Sequence, residues 1–165
     1  MLLINLSKIM MGLKNIMESD NIQEPKINTM GSEVEEGYAC KPKVLDPNKP
    51  IMHYKNIVYV CVDKRCAGAG SHKKADELRD VVKDMGLDVG EDRIKISKSF
   101  CYGACRYKQV ANIFSNEQAN GQRKHNNIWL KETHEYDLEK WRELFKALKE
   151  NRYLNKFKQI KMKVF

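Results

Sequence analysis

Four cysteines fall into two close pairs, and this pattern constrains what the chain can fold into more than any other feature of its sequence. Four residues separate Cys61 from Cys66, three separate Cys101 from Cys105, and 34 lie between the two pairs. Each pair comes where a predicted strand gives way to a loop. Cys40 stands apart in a proline-rich segment, and we interpret it as a bystander rather than a ligand.

An odd number of cysteines, five in all, argues against the disulfide framework of secreted domains. Residues 1–17 place apolar side chains at helical spacing, but Lys8 and Lys14 interrupt the run and no small-residue cleavage site follows. The favoured interpretation is a short amphipathic helix or an upstream extension of the reading frame, with a mitochondrial-type transit peptide as the alternative. No stretch approaches the roughly 18 apolar residues that span a bilayer. The expected localisation is therefore cytoplasmic.

The pattern of apolar residues from residue 55 onward predicts six elements of secondary structure. β-Branched and aromatic runs favour strands, and apolar residues three or four apart favour helices. The predicted elements are a strand ending at Cys61, a helix over 72–87, strands over 93–97, 110–114 and 127–130, and a final helix capped by Asp137. Residues 62–71 contain two glycines and are predicted to be a loop.

This order, β-α-β-β-β-α, predicts an α/β domain with a mixed four-stranded sheet and two helices. A strand, a helix and a strand in succession favour a right-handed parallel crossover. The turn dipeptide Asn120–Gly121 between the last two strands predicts an antiparallel hairpin. Because the two cysteine loops follow strands related by the parallel crossover, we expect them at the same end of the sheet. The four thiols can then converge on one point.

Composition and charge divide the chain, whose net charge is +8, into three parts. Residues 1–51 contain all four prolines and are interpreted as an N-terminal extension or arm, partly disordered. Residues 52–150 form the predicted domain and carry 19 basic and 15 acidic residues. Residues 151–165 carry five basic and no acidic residues. They predict a basic C-terminal extension, which either continues the last helix or forms an arm that docks an acidic partner or completes a dimer.

Four converging thiolates are soft ligands that select zinc or an iron–sulfur cluster. Structural zinc sites favour two C-x2-C knuckles around one tetrahedral ion, whereas both spacings here are wider. A 2Fe–2S cluster has two irons, each needing two cysteines, which suits a two-and-two division. The plant-type ferredoxin spacing places three cysteines in one loop and does not match. The residues alone therefore favour an iron–sulfur cluster, with zinc or thiol redox chemistry as alternatives.

The sequence around the cysteines resembles that of the thioredoxin-like 2Fe–2S ferredoxins. The matching residues, within about residues 54–150, are Val58-Tyr59-Val60-Cys61, then Cys66, then Cys101-Tyr102-Gly103-Ala104-Cys105. The family includes the small ferredoxin subunits of NADH dehydrogenase, NAD-linked hydrogenases and formate dehydrogenases, and free-standing ferredoxins that are often dimers. The resemblance implies a thioredoxin-like fold and one 2Fe–2S cluster ligated by Cys61, Cys66, Cys101 and Cys105. Arg106–Gln109 replace the small residue and proline that the family often has after the last cysteine.

The resemblance further implies one-electron transfer without catalysis, as a soluble ferredoxin or an electron-transfer subunit of a redox enzyme. The expected partners are redox proteins with an acidic docking surface; a homodimer is a further expectation, and nucleic acid is not an expected partner. One alternative function is a zinc-stabilised binding module that uses the basic tail on nucleic acid or an acidic protein. Another is a thiol oxidoreductase, but the C-x-x-C motif that lowers a thiol pKa in such enzymes is absent from the sequence.

Charges and backbone amides near the cysteines are expected to favour the reduced state of such a cluster. The basic residues within a few positions of a predicted ligand are Lys64, Arg65, Lys98, Arg106 and Lys108. Asp63 lies between the first two ligands and opposes them. The amides of Gly68, Gly70 and Gly103 are expected to donate to sulfur, acting in the same direction as the bases.

Overall fold

The computed structural model describes residues 24–28, 31–44 and 53–161. The chain divides into two compact units, Met1–Leu45 and Asp46–Phe165. The predicted amphipathic segment at the N-terminus lies outside the described residues.

The described part of the first unit is held by isolated backbone bridges. Antiparallel bridges pair Ile27 with Glu33 and Val34 with Pro42. Val34 is buried, whereas Cys40 is exposed. With little apolar area to bury, this described part forms bridges and turns rather than helices or strands.

The second unit is built on a mixed four-stranded sheet. Its strands are β1 (Asn56–Cys61), β2 (Ile94–Ser99), β3 (Ala111–Ser115) and β4 (Ile128–Leu130), in the spatial order β2-β1-β3-β4. β1 pairs with β2 in parallel, in a register that places Cys61 opposite Ser99. The pairings of β1 with β3 and of β3 with β4 are antiparallel. The predicted α/β class, parallel crossover and later antiparallel hairpin are confirmed.

Three α-helices accompany the sheet, namely α1 (Lys64–Ala67), α2 (Ser71–Asp84) and α3 (Leu138–Lys149). The prediction of two helices, with a continuous loop over 62–71, is wrong because Asp63 caps one extra helical turn. The Asp63 carboxylate accepts a hydrogen bond from the backbone amide of Lys64 at 2.7 Å. The helix predicted over 72–87 ends earlier, since Gly86 takes a left-handed φ of 64°. Among the described residues, no helix combines the length and apolarity needed to cross a bilayer.

The core lies where α2 and α3 pack against the sheet. Its helical members recur every three or four positions, as expected for a one-sided apolar face. They are Ala75, Leu78, Val81 and Val82 from α2, and Trp141, Leu144, Phe145 and Leu148 from α3; the strands contribute Val58, Val60, Ile94, Ile96, Ala111, Ile113 and Leu130. As predicted, Asp137 starts α3, because its carboxylate accepts from the backbone amide of Lys140 at 2.7 Å. This core fixes the ends of β1 and β2, from which the cysteine segments extend.

The chain after α3 turns back onto the sheet. Asn151 takes a left-handed φ of 55°, so the helix does not continue. Leu154 and Phe157 then join the core formed by α2, α3 and the strands, and a backbone bridge connects the segment to β4. Of the two alternatives for this segment, the described residues 151–161 form an arm, and that arm packs on the domain.

Candidate metal centre

The structure brings the two cysteine pairs together at the carboxyl ends of β1 and β2. Cys61 ends β1, and Cys66 lies in α1. Cys101 and Cys105 lie in the segment between β2 and β3, where Cys105 begins a short 3-10 turn. Because β1 and β2 are parallel neighbours, the segments that leave them emerge at the same edge of the sheet. Topology therefore places four thiols together that are far apart in the sequence.

One cavity, with a volume of about 410 Å³, is lined by all four of these cysteines. Asp63, Lys64 and Arg65 complete its lining. A much smaller space is lined by the same four cysteines together with Tyr102, Ala104 and Val110. The four cysteines thus line one shared space, whose walls contain both polar and apolar residues.

The sulfur atoms lie as two close pairs. The Sγ atoms of Cys101 and Cys105 are 3.5 Å apart, and Cys61 lies close enough to Cys66 to raise the pKa of that thiol. Two thiolates on one tetrahedral metal, each about 2.3 Å from it, would lie about 3.8 Å apart, so the 3.5 Å separation is close to that of two ligands on one metal. No group of three or more His, Cys, Asp or Glu side chains within the described residues is placed to hold a single ion. The donor set present is two pairs of soft thiols facing one cavity.

The two pairs differ in exposure to solvent. Cys61 and Cys66 are buried, Cys101 is exposed, and Cys105 is partly exposed. Burial, reinforced by the neighbouring Cys61 thiol, raises the pKa of Cys66 to about 11. The hydrogen bond with Cys101 raises the pKa of Cys105. Both shifts favour the protonated thiols, so a metal that binds here must displace those protons.

A backbone amide acts on one sulfur of each pair. The amide of Gly103 donates to Cys101 Sγ at 3.3 Å, as predicted, and Gly103 has a left-handed φ of 73° that favours glycine. The backbone amide of Val110 lies close enough to Cys66 to oppose the rise in the pKa of its thiol. Sequence analysis missed Val110, because that contact arises only when the start of β3 is folded against α1.

The expectation that the amides of Gly68 and Gly70 donate to sulfur is wrong. Both amides donate instead to carbonyl oxygens of α1. They satisfy the end of that helical turn, which the sequence pattern did not reveal. The glycine amides of the first cysteine segment therefore stabilise the backbone rather than the thiols.

A buried amide side chain ties the two cysteine segments together. Gln109 follows the second pair and is 1% exposed. Its Nε2 donates to the carbonyl oxygen of Ala69 at 2.5 Å and to that of Cys66 at 3.4 Å. Its backbone amide donates to His134 Nδ1 at 3.2 Å. Nothing in the sequence pattern singles out Gln109, since a glutamine among polar residues ordinarily indicates an exposed loop.

The basic residues expected near the thiols are not equivalent in the structure. Lys64 and Arg65 line the cavity, and the positive charge of Arg65 acts on Cys105, partly offsetting the rise in its pKa. Lys98, in contrast, forms an ion pair with Asp76 at 2.9 Å. Its charge is largely neutralised, so the sequence-based expectation for Lys98 is not supported.

Comparisons with known proteins find similarity in structure alone. No protein-family model and no curated protein sequence matches the chain. A crystal structure of the wild-type thioredoxin-like [2Fe-2S] ferredoxin from Aquifex aeolicus matches with 16% identity and a TM-score of 0.46, over 66% of this chain and 99% of that one. A cysteine-to-serine variant of the same ferredoxin matches with 15% identity and a TM-score of 0.45, over 65% and 99%. A further structure of a thioredoxin-like [2Fe-2S] ferredoxin from Aquifex aeolicus gives 15% and 0.45, over 68% and 99%. The chain is thus similar to solved thioredoxin-like [2Fe-2S] ferredoxins.

Proposed function

We propose that the protein carries single electrons on one 2Fe–2S cluster held by Cys61, Cys66, Cys101 and Cys105. The observation that carries this proposal is the meeting of two thiol pairs around one cavity at the ends of the parallel strands. When bound, such a cluster exchanges one electron and makes or breaks no bond. The role proposed is therefore that of an electron carrier, or of an electron-transfer subunit of a redox enzyme, rather than of a catalyst.

The donor set fits a 2Fe–2S cluster in number and chemistry. Four thiolates are its usual protein ligands, and the sulfurs here already lie two and two. The Gly103 amide donates to Cys101 Sγ, and the Val110 amide lowers the pKa of Cys66; both effects stabilise negative charge on the thiolates. These contacts support a site that holds an anionic group.

The exposure of the two pairs suits exchange of electrons with another protein. Cys61 and Cys66 are buried, so water has little access to that side. Cys101 is exposed, so a partner can approach the thiol closely. The proposed partner is another redox protein, and the proposed location is the cytoplasm.

The test is to purify the chain anaerobically from iron-replete cells and to measure iron, acid-labile sulfide and the visible spectrum. The expected result is about two iron and two sulfide ions per chain, with a colour that bleaches on one-electron reduction and a rhombic paramagnetic signal in the reduced form. Cys66→Ser should lose most of the iron, whereas the matched variant Cys40→Ser should retain it. A colourless protein, or one that holds zinc without sulfide, would overturn the proposal and favour a zinc-stabilised module.

A further inference from the structure

We propose that an acidic redox protein docks beside the cysteine cavity, on a surface that we call the rim. The rim is defined as Lys64 and Arg65, which line the cavity, together with Phe100 and Arg106, which adjoin Cys101 and Cys105 in the sequence. The inference rests on the proposed electron-transfer function and names the surface and the chemistry of the partner. Three features support the rim: an exposed aromatic side chain, cations for which the described residues provide no acidic partner, and neutralisation of the C-terminal basic residues that the sequence suggested.

Phe100 is the apolar member of the rim. It is 87% exposed, the highest value among the described large hydrophobic side chains that are exposed, and it directly precedes Cys101. A large aromatic side chain held in water is a typical anchor of a protein interface, because it is desolvated only when a partner covers it. Because Phe100 adjoins the exposed Cys101, a partner that covers Phe100 would lie close to the side of the proposed cluster through which an electron enters or leaves.

The cations of the rim are exposed and lack acidic partners. Lys64, Arg65 and Arg106 are exposed, and among the residues described by the structure no carboxylate forms an ion pair with any of them. Arg106 lies over the ring of Tyr107, 5.9 Å from its centroid, a contact that leaves its charge unneutralised. This charge attracts an acidic surface and speeds encounter with it.

The sequence suggested the C-terminal arm as the site that docks an acidic partner, but most of the basic side chains in its described part are neutralised by ion pairs. Lys158 pairs with Glu132 and Glu135 at 2.7 and 2.6 Å. Arg152 pairs with Glu150 at 2.6 Å, and Lys156 pairs with a glutamate of α3 at 3.5 Å. The same arm fills the core with two apolar side chains. Its described part therefore stabilises the domain, and the rim is the better candidate for an acidic partner.

A protein is favoured over nucleic acid as the occupant. Sequence-independent binding to nucleic acid uses a basic groove or stripe that follows many phosphates. The rim instead combines three exposed cations with one exposed aromatic side chain next to Cys101, a mixture of apolar and charged groups that is typical of protein interfaces. Preferential binding of nucleic acid would therefore overturn the proposal.

The test uses three fluorescein-labelled probes and the full chain purified anaerobically, at low ionic strength. The first probe is a decapeptide of four glutamates, two leucines and four glutamates; the second has serines in place of the leucines; the third is a ten-nucleotide oligothymidylate. Fluorescence anisotropy gives the affinities. The double variant Lys64→Ala/Arg65→Ala should weaken binding of the leucine peptide about three- to tenfold. Phe100→Ala should abolish the preference for the leucine peptide over the serine peptide.

The matched control removes the same charge from the arm through Lys156→Ala/Lys161→Ala, and it should leave binding unchanged. Equal weakening by the arm and rim variants, or tighter binding of the oligothymidylate than of the leucine peptide, would overturn the proposal. Iron and sulfide are measured on every sample, which separates the two proposals. If protein that contains no iron or sulfide still binds the leucine peptide through the rim, the docking proposal stands and only the proposed electron-transfer role is overturned. Iron-loaded protein with no difference between the variants overturns only the docking surface.

Discussion

The side-chain amide of Gln109 donates to the main-chain oxygen of Ala69 at 2.5 Å, across 40 positions of sequence. The same amide reaches the carbonyl oxygen of Cys66 at 3.4 Å. Gln109 thus connects the segment after the second cysteine pair to the segment that carries the first. Because the Gln109 side chain is buried, water replaces these contacts poorly, and the relative position of the two segments depends on them.

We expect Gln109→Ala to lower the free energy of unfolding by about 2–3 kcal/mol, because it removes the side-chain donor of the Ala69 carbonyl and one of the two donors of the Cys66 carbonyl, and opens a small cavity. Denaturant unfolding monitored by circular dichroism measures this loss. Gln118→Ala, at an exposed position, is the matched control and should change the unfolding free energy by less than about 0.5 kcal/mol. Equal losses in the two variants would show that Gln109 does not connect the two segments.

A second prediction concerns the C-terminal arm, whose Phe157 side chain lies in the main core and is 5% exposed. Phe157→Ala should destabilise the domain by about 3–5 kcal/mol, as truncation of a buried aromatic residue does. Thermal and denaturant unfolding measure the change. Tyr153→Ala, at a side chain 70% exposed, should have an effect below about 1 kcal/mol. A Phe157→Ala variant as stable as the parent chain would mean that the arm only lies on the surface.

Most of the fold was predictable because each element has a local signal. The apolar run before Cys61, the helical spacing of apolar residues in α2 and α3, and the cap at Asp137 are all properties of neighbouring residues. The parallel crossover follows from the order of these elements. The short helix α1 was missed, because a four-residue helix carries no periodicity and depends mainly on the capping carboxylate of Asp63.

The site was predictable only in part for a different reason. The position of each cysteine pair after one of two strands related by the parallel crossover predicted that the pairs meet, and the structure shows the four cysteines lining one cavity. The contacts of Gln109 and Val110, and the ion pair that neutralises Lys98, join residues far apart in the chain. Such tertiary contacts leave no mark on the spacing of residues in the sequence.

A third prediction concerns His125, which is fully buried and whose Nε2 donates to the carbonyl oxygen of Arg152 at 2.6 Å. Burial, with smaller contributions from the charges of Lys124 and Lys55, lowers the pKa of His125. The unfolded chain therefore binds a proton more readily than the folded chain, so stability decreases as pH falls below about 6.5. The slope for one proton is at most about 1.4 kcal/mol per pH unit.

Denaturant unfolding between pH 7 and pH 5.5 measures this dependence. His125→Gln retains an N–H donor for the Arg152 carbonyl but cannot titrate, so its stability should depend less on pH over the same range. His72→Gln, at an exposed position, should keep the pH dependence of the parent chain. If His125→Gln and the parent chain lost stability in parallel, another group would have to be the source of the acid sensitivity.

The last prediction concerns the charge of Arg65, which lines the cysteine cavity and acts electrostatically on Cys105. Reduction adds one negative charge to the proposed cluster, and a nearby cation stabilises that charge. Arg65→Gln should therefore lower the reduction potential. A unit charge about 10 Å away, at an effective dielectric constant near 20, shifts a one-electron potential by roughly 70 mV. Because Arg65 is exposed to solvent, the expected decrease is smaller, on the order of tens of millivolts.

A redox titration followed by the paramagnetic signal of the reduced form measures the potential. Lys83→Gln removes the same charge from an exposed position in the last turn of α2, at the end away from α1, and should leave the potential nearly unchanged. The difference between the two variants should shrink as salt is added, because mobile ions screen exposed charges. An equal shift in both variants would indicate an effect of net charge alone, and a rise in the Arg65→Gln potential would mean that Arg65 does not stabilise the reduced state.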